Sequence, residues 1–328
     1  MRWRTLLVLA LTTSLVAACG NDDDGDVAAT STTTTQDTTT TTAESTTTTE
    51  PSDEDGEAAG YTVTVEDTGA EPRRELRLQA EVGDVDRITQ RQEVTIEIRA
   101  GGQTQAAPSP VTELDVAYVV EDVTDDEITI AGSYEDVRVL ETPGTDPAAN
   151  AQVAELLEGF RSATARTTYT TSGAVRSAEI EGLDLAGSGG AMAEQLADSL
   201  IESVESLSMP FPDEAVGVGA RWRIETEAEI AGLPVEISTL IELTELTDDR
   251  AGGTVTQELR FVPGDVEVFG TPATVISGEL SGGGPIEWNL AGGVVPRSDI
   301  TTSGTTVLEV QGNQIEQSQT QRITISTR

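Results

Sequence analysis

Cys19 is the only cysteine in the 328-residue chain, and its thiol is the one reactive group that lies in a recognisable sequence motif. Arg2 and Arg4 precede an apolar run over residues 6–16, and the small residues Ala17-Ala18 lie directly before the cysteine. This order of charged, apolar and small residues is typical of a secretory signal peptide, so we expect cleavage just before Cys19. The run is much shorter than the about 20 apolar residues that a membrane-spanning helix needs.

The residues Val16-Ala17-Ala18-Cys19 resemble the lipobox of bacterial lipoproteins. The resemblance implies a diacylglycerol thioether on Cys19, removal of residues 1–18 and an extracytoplasmic protein of the cell envelope, anchored to the membrane through acyl chains. At about 0.8 kcal/mol per buried methylene, two or more acyl chains give a stable anchor. The alternative is an ordinary secretory signal followed by a chance cysteine.

Residues 19–59 are rich in threonine and acidic residues and poor in apolar ones. Such a composition cannot form a core, so we expect a disordered stalk, a kind of segment that is often O-glycosylated in secreted proteins. A flexible segment of this length has a root-mean-square reach of about 35 Å, which would hold the folded domain away from the membrane. The acidic residues 22–26 lack the ligand spacing of a calcium loop and are interpreted as solvated linker charge.

The composition removes much of the usual catalytic chemistry. The chain has no histidine, all its basic residues are arginines, and its formal net charge is −39. Serine and cysteine protease triads, Schiff-base lysines and histidine or thiolate zinc sites therefore each lack a member. We expect a non-enzymatic protein without metal or cofactor, although a carboxylate pair acting on a glycoside remains an alternative. The acidity also excludes nucleic acids and anionic lipid head groups as electrostatic partners.

From residue 60 onward, apolar and polar residues alternate, as Val94, Ile96 and Ile98 do with the polar residues between them. Alternation is typical of antiparallel strands with one buried face. We therefore expect one mainly β (α+β) domain over residues 60–328, built as a curved antiparallel sheet or half-barrel.

Several local features are expected within this domain. A strand is predicted over residues 74–81, and Ser172-Gly173 is predicted to turn a hairpin. The glycines at 282–284 are predicted to form a turn between strands at 273–280 and 286–290.

Two helices are expected to interrupt the strands, in an insert over about residues 146–208. Asp146 is a fit N-cap of the first helix, with Pro147 at its first position. Its apolar face is formed by Val153, Leu156, Leu157 and Phe160. The second helix, over residues 191–207, is long and strongly amphipathic, and we expect it to cover the sheet.

Two short stretches of sequence recur in the same order on either side of the insert. Residues 82–88 are similar to residues 218–224, and residues 123–126 are similar to residues 246–249. We interpret them as marks of two related strand units. The alternative is chance similarity, because Asp-Asp pairs suit hairpin loops in general.

Residues 209–222, with the sequence MPFPDEAVGVGARW, resemble a phrase found in an uncharacterised family of bacterial envelope lipoproteins, and residues 282–293 also fit it. That family has no assigned activity, so the resemblance implies no catalytic residues. More loosely, a lipid-anchored, strand-rich domain with an inserted amphipathic helix is similar to the half-barrel lipid carriers of bacterial envelopes. In those proteins helices cover an apolar cavity on a curved sheet, a likeness of fold alone.

The candidate binding residues are apolar and lie on the second helix or close to it along the chain. They are Met192, Leu196, Leu200, Val204, Phe211, Trp222 and Trp288. By strand parity we expect both tryptophans to point inward, and the simplest alternative is that all seven only pack the core. Two functions remain: binding of a lipid or other apolar molecule between sheet and helix, or a structural domain that presents an acidic β-surface to wall polymer or an envelope protein.

Overall fold

The structure is a computed structural model that describes residues 60–142, 144–145, 147–183, 201, 209–230, 232–268, 271–292 and 295–328. All the described residues belong to one compact unit. The predictions for residues 1–59, which include the signal peptide, Cys19 and the stalk, lie outside the described residues.

The fold is mainly β, as the alternation predicted, and consists of one open antiparallel sheet of 14 strands. In chain order the strands are β1 (Tyr61–Asp67), β2 (Val85–Ala100), β3 (Gln103–Pro108), β4 (Val111–Val123), β5 (Glu127–Leu140), β6 (Thr164–Thr170), β7 (Val175–Glu181), β8 (Arg221–Ile230), β9 (Leu233–Leu246), β10 (Arg250–Phe261), β11 (Gly264–Val268), β12 (Thr271–Asn289), β13 (Arg297–Val310) and β14 (Asn313–Thr327). The predicted hairpin at Ser172-Gly173 is confirmed, because β6 pairs with β7 across it.

Two meanders make up the sheet. The first runs β2-β4-β5-β6-β7 and the second β8-β9-β10-β12-β13-β14, and pairing of β14 with β2 joins them into one sheet. Consecutive strands lie side by side within each meander because antiparallel neighbours need only short turns. Of the remaining strands, β1 pairs with β8, β3 with β2 and β11 with β12.

The sheet curls so that strands far apart in its order share one core. Val120 of β4 and Ile128 of β5 belong to the same buried cluster as Trp222 of β8 and Ile286 of β12. Those two pairs of strands come from different meanders, and the β14–β2 pairing lies between them. The curl thus gives the sheet a concave side that is buried and an outer side that carries most of the charge.

The predicted strand over residues 74–81 is wrong. Apart from an isolated bridge at Arg74, the segment pairs with no neighbouring strand in the described part of the chain. It crosses between the meanders instead, since the backbone N–H groups of Leu78 and Gln79 donate to the carbonyls of Thr171 and Leu290, both at 2.7 Å. The alternating apolar residues of this segment reflect burial between two meanders, which sequence periodicity cannot distinguish from burial on a sheet.

One of the two expected helices is described. The first, α1 (Pro147–Glu158), continues into a 3-10 turn, Gly159–Ser162. Its Val153 and Leu157 and the turn's Phe160 are at most 3% exposed, and the Phe160 ring packs edge-on against Tyr134 of β5 with centroids 5.4 Å apart. The predicted N-cap, Asp146, lies outside the described residues.

The second helix lies outside the described residues except for Ile201, whose backbone is helical. Its length and its position over the sheet therefore remain predictions. Across the described ranges, no helix is both long enough and apolar enough to cross a membrane.

The two pairs of similar sequence stretches make matching hydrogen bonds. In both units the glycine N–H donates to a carbonyl of the strand that pairs with the strand after the glycine, and a threonine N–H closes the Asp-Asp turn. These bonds are Gly83 to Val120 (2.9 Å) and Gly219 to Leu243 (2.7 Å), and Thr124 to Glu127 and Thr247 to Arg250 (both 2.9 Å). A common origin of the two units stays a prediction, and the shared turns are consistent with it.

The predicted turn at residues 282–284 is wrong, because these glycines lie in the middle of the 19-residue strand β12. A Cβ added to Gly282 would lie 1.9 Å from the Thr301 carbonyl oxygen of β13, and one added to Gly283 would lie 2.0 Å from the Val255 oxygen of β10. Only residues without side chains allow the three backbones to approach so closely. The glycine triplet permits tight strand packing here and does not reverse the chain.

We predict that Gly282→Ala destabilises the fold by about 1–3 kcal/mol, because the new methyl group must displace the neighbouring strand. Gly264→Ala on β11 is the matched control, since a Cβ there meets nothing within 4 Å. Urea denaturation of both variants measures the effect. Equal stability of the two variants would show that close backbone approach does not constrain β12.

Candidate functional site

Three of the predicted site residues lie together in the core. Phe211, Trp222 and Trp288 are 3%, 0% and 4% exposed, so the prediction that both tryptophans point inward is confirmed. The rings of Phe211 and Trp288 pack edge to face with centroids 5.4 Å apart, and Trp222 Nε1 donates to the Pro210 carbonyl at 3.2 Å. The other four predicted binding residues, Met192, Leu196, Leu200 and Val204, lie outside the described residues.

The described surroundings of the three aromatic residues are tightly packed. They share one buried cluster with side chains from both meanders and from the crossing segment, including Leu76 and Ile130. An edge-to-face pair and a satisfied indole N–H are features of a well-packed core. Within the described part of the chain, these residues therefore help to hold the curled sheet together.

The concave side also contains a cavity of about 60 Å³. We call it the concave cavity, and its lining comes from strands β8, β10, β12, β13 and β14. The lining residues are Ile230, Gln257, Leu259, Phe261, Leu280, Ile300, Thr302, Gln319, Gln321 and Ile323. None of the three aromatic residues named above is among them.

Strand register explains the position of the concave cavity. One cross-strand row reads Gln257, Gly282, Thr302, Gln321, and the row beside it reads Leu259, Leu280, Gly304, Gln319. Each row therefore contains a glycine where its neighbours carry side chains. The lining side chains of both rows lie on one face of β10, β12, β13 and β14 and border the hollow between them.

The polar residues of the concave cavity are almost completely buried. Gln257 and Gln319 are 7% and 8% exposed. The Nε2 of Gln257 donates to Thr239 Oγ1 at 3.4 Å, and the Oε1 of Gln319 accepts from Gln317 Nε2 at 3.3 Å. Each bond occupies one end of an amide group. The polar part of the lining thus consists of uncharged amide and hydroxyl groups, which can both donate and accept hydrogen bonds.

Sequence reasoning missed these glutamines, although a signal was present. Residues 315–325 read Ile-Glu-Gln-Ser-Gln-Thr-Gln-Arg-Ile-Thr-Ile, and Gln317, Gln319 and Gln321 share their parity with the isoleucines. A polar residue that keeps the parity of buried neighbours points to the interior of the sheet. The same argument applies to Gln257, between Val255 and Leu259.

Tyrosines occupy the concave face of the first meander. Burial raises the pKa of Tyr169 to about 12, although a hydrogen bond with Thr167 acts in the opposite direction and lowers this pKa. Burial also raises the pKa of Tyr118, and the nearby Tyr134 and Asp86 add to the increase. The concave side therefore disfavours the charged form of an ionisable group.

The most deeply buried carboxylate lies on the opposite, outer face and has a structural role. Asp115 is 1% exposed and accepts hydrogen bonds from Thr89 Oγ1 at 2.6 Å and from Arg138 Nη2 at 3.0 Å. The guanidinium of Arg328 lies 3.2 Å from it. These partners compensate the buried charge and leave little capacity for a ligand. In the described residues, no group of three or more acidic, histidine or cysteine side chains is placed to hold a metal ion.

We predict that the free energy of unfolding falls in alkaline solution. The folded-state pKa of Tyr169 exceeds the ordinary value of 10.0, so its contribution is complete below about pH 10 and is lost as the pH rises through about 12. Urea denaturation between pH 8 and pH 11.5 measures the decline, which Tyr169→Phe should reduce. The control is Tyr61→Phe, at a residue 36% exposed, and it should change the decline less. An equal pH profile in wild type and Tyr169→Phe would contradict the prediction.

The concave cavity combines apolar walls with uncharged hydrogen-bonding groups, and none of its described lining residues is charged. Such a site can bind an apolar group and orient a neutral polar one, and it contains no nucleophile paired with a base. Comparison of the chain with protein-family models and with the sequences of curated proteins finds no match.

Proposed function

We propose that this chain is a lipid-anchored, extracytoplasmic protein of the cell envelope that binds a lipid or another apolar molecule on the concave face of its sheet, without catalysis. The observation that carries the proposal is the concave cavity, a partly polar hollow in an otherwise packed sheet interior. Hollows of this kind are few in a close-packed protein. In the proposal, this hollow is present because it binds a ligand.

The lining of the concave cavity suits an amphipathic ligand. Six of its ten residues are isoleucine, leucine or phenylalanine, and four are glutamine or threonine. Burial of a ligand's methylene groups against the apolar side chains contributes about 0.8 kcal/mol each. The few polar groups then fix the ligand's orientation, which is the usual composition of small-molecule sites.

The size of the concave cavity implies a second wall. At about 10–15 Å³ for each water-sized group, its 60 Å³ receives about four to six such groups, which is only part of a lipid. In the proposal, the amphipathic helix predicted over residues 191–207 supplies the other wall. Its apolar residues, among them Met192, Leu196 and Leu200, need an apolar surface to cover.

Anchoring rests on the sequence order around Cys19 and on the stalk that follows it. Acyl chains on this cysteine hold the chain at the membrane, and the stalk of residues 19–59 lets the domain work at a distance of about 35 Å from it. The ligand is therefore bound in the aqueous part of the envelope. A site that shields apolar groups from water is needed at that position.

For the anchor, we predict that Cys19→Ala abolishes acylation, because no other thiol is present. Growth of an expressing bacterium with an alkyne-labelled palmitate analogue, followed by gel fluorescence, measures it. The wild-type chain should carry the label and the variant should not. Labelling of Cys19→Ala at the wild-type level would overturn the lipid anchor.

For the ligand, we predict that the full chain purified in mild detergent retains a stoichiometric apolar compound, seen by mass spectrometry of an organic extract. Thr302→Leu adds apolar bulk inside the concave cavity and should remove the compound. Thr301→Leu, at the next and exposed position of β13, is the matched control and should retain it.

Absence of any apolar compound from the wild-type chain would overturn the binding function. Retention of a wall polymer or an envelope protein in its place would favour the alternative, a structural domain that presents an acidic β-surface.

A further inference from the structure

We infer, on the basis of the proposed function, that the concave cavity admits an amphiphile only in its uncharged form, so that an acidic lipid enters together with a proton. A lipid with a neutral polar end enters without one. Binding of acidic ligands is thereby coupled to pH, although no group of the described lining titrates.

The described lining of the concave cavity contains no charged side chain. Its polar groups are three glutamine amides and one threonine hydroxyl, and its other residues are isoleucine, leucine or phenylalanine. Amides and hydroxyls of this kind do not ionise in neutral solution. The lining therefore cannot neutralise an ionised ligand by taking up or releasing a proton of its own.

The charged residues that lie next to the lining residues along the strands point to the outer face. Successive side chains of a strand lie on opposite faces of the sheet, so each of these residues has the opposite parity to the lining residue beside it. They are Glu229, Glu258, Arg260, Glu279, Asp299 and Arg322.

Both arginines of this set are engaged in ion pairs on the outer face. Arg260 Nη1 lies 3.8 Å from Glu236 Oε2. Arg322 Nη2 lies 2.6 Å from Asp299 Oδ2. Neither cation is available to an anion in the concave cavity, and an ionised group that leaves water without such a partner loses its hydration uncompensated.

The segment that supplies the second wall in the proposed function adds no cation. Residues 184–208 contain acidic residues but no arginine, and the chain has neither lysine nor histidine. The net charge of the chain is −39. An anion that approaches the concave cavity is thus also repelled by the surrounding field, most strongly at low ionic strength.

Ionisable groups of the protein itself show the same effect on the concave side. Asp86 of β2 has the strand parity of buried Ile88, and burial raises the pKa of its carboxyl although Arg297 lowers it. Burial likewise raises the pKa of Tyr169 to about 12. Both groups are held towards their neutral forms because burial disfavours the charged form. A carboxyl group of a ligand on this side is subject to the same cost.

Coupling to a proton follows from this cost. A ligand carboxylate takes its proton from the solvent and keeps it while bound, and no bond to the protein forms. The neutral fraction of an acid falls about tenfold for each pH unit above its pKa, so its apparent affinity falls by the same factor. An alcohol with the same chain has no such dependence.

Isothermal titration calorimetry of the full-length Cys19→Ala chain with dodecanol and dodecanoic acid tests the inference. This variant lacks the proposed acyl chains, which would compete for the concave cavity. We expect dodecanol to bind equally at pH 5.5 and pH 7.5, and dodecanoic acid to bind about 100-fold more weakly at pH 7.5. Titration in buffers of different ionisation enthalpy should show uptake of about one proton for each acid molecule bound and of none for each alcohol.

A cation placed inside the concave cavity should remove the coupling. Thr302→Arg in the same chain should let the acid bind as an anion, so that proton uptake disappears and the affinity differs by less than about threefold between the two pH values. Thr301→Arg is the matched control, because Thr301 is exposed on the outer face of the same strand. It should retain the wild-type proton uptake.

The binding function and the selection of the uncharged form fail differently. If neither compound binds and the purified wild-type chain contains no apolar compound, the proposed function is overturned. If dodecanoic acid binds at pH 7.5 as tightly as dodecanol, or binds without proton uptake, lipid binding stands and the selection is overturned. A folded Thr302→Arg variant with unchanged proton uptake overturns it as well, and if that variant does not fold, the measurement without it decides alone.

Discussion

Close backbone contact between β10, β12 and β13 is the constraint on which the rest of the structure depends. Carbonyl oxygens of the neighbouring strands occupy the space where side chains of Gly282, Gly283 and Gly304 would lie. Such contact is available only to residues without a Cβ, and Pro285, three positions after Gly282, further interrupts regular pairing. The strands can therefore pack closely enough for the long sheet to curl, and the curl brings β4 and β5 against β8 and β12 in one core.

The concave side is not uniformly filled. A sheet face built from alternating side chains closes on itself where those chains are large, as around Trp222 and Trp288. Along β10, β13 and β14, three glutamines and one threonine border a hollow instead. The packed cluster and the concave cavity are two regions of the same face of the sheet. The volumes of the side chains along that face decide which region is filled.

Charge is divided between the two sides of the sheet. Buried Asp115 is compensated by Arg138 and Arg328 on the outer face, where arginine has room for its planar hydrogen-bonding group. The concave cavity is lined instead by neutral amides and a hydroxyl, and the raised pKa of Tyr169 on the same side of the sheet reflects its burial. A chain as acidic as this one can in this way keep an interior suited to apolar and neutral groups.

The sequence by itself determined the β class of the fold, the hairpin at Ser172-Gly173 and the inward direction of both tryptophans, because each follows from period-two alternation or from local turn chemistry. Tertiary structure decided the rest. Glycines 282–284 were predicted as a turn and lie within a strand, since only the neighbouring backbones reveal why side chains are absent. By its residue type Gln319 resembles an ordinary exposed polar residue of a strand. Only the curl of the sheet shows that the face of β14 on which it lies is buried. Which hollow the curl leaves, and which residues line it, depends on contacts between residues distant in the chain, which local patterns do not encode.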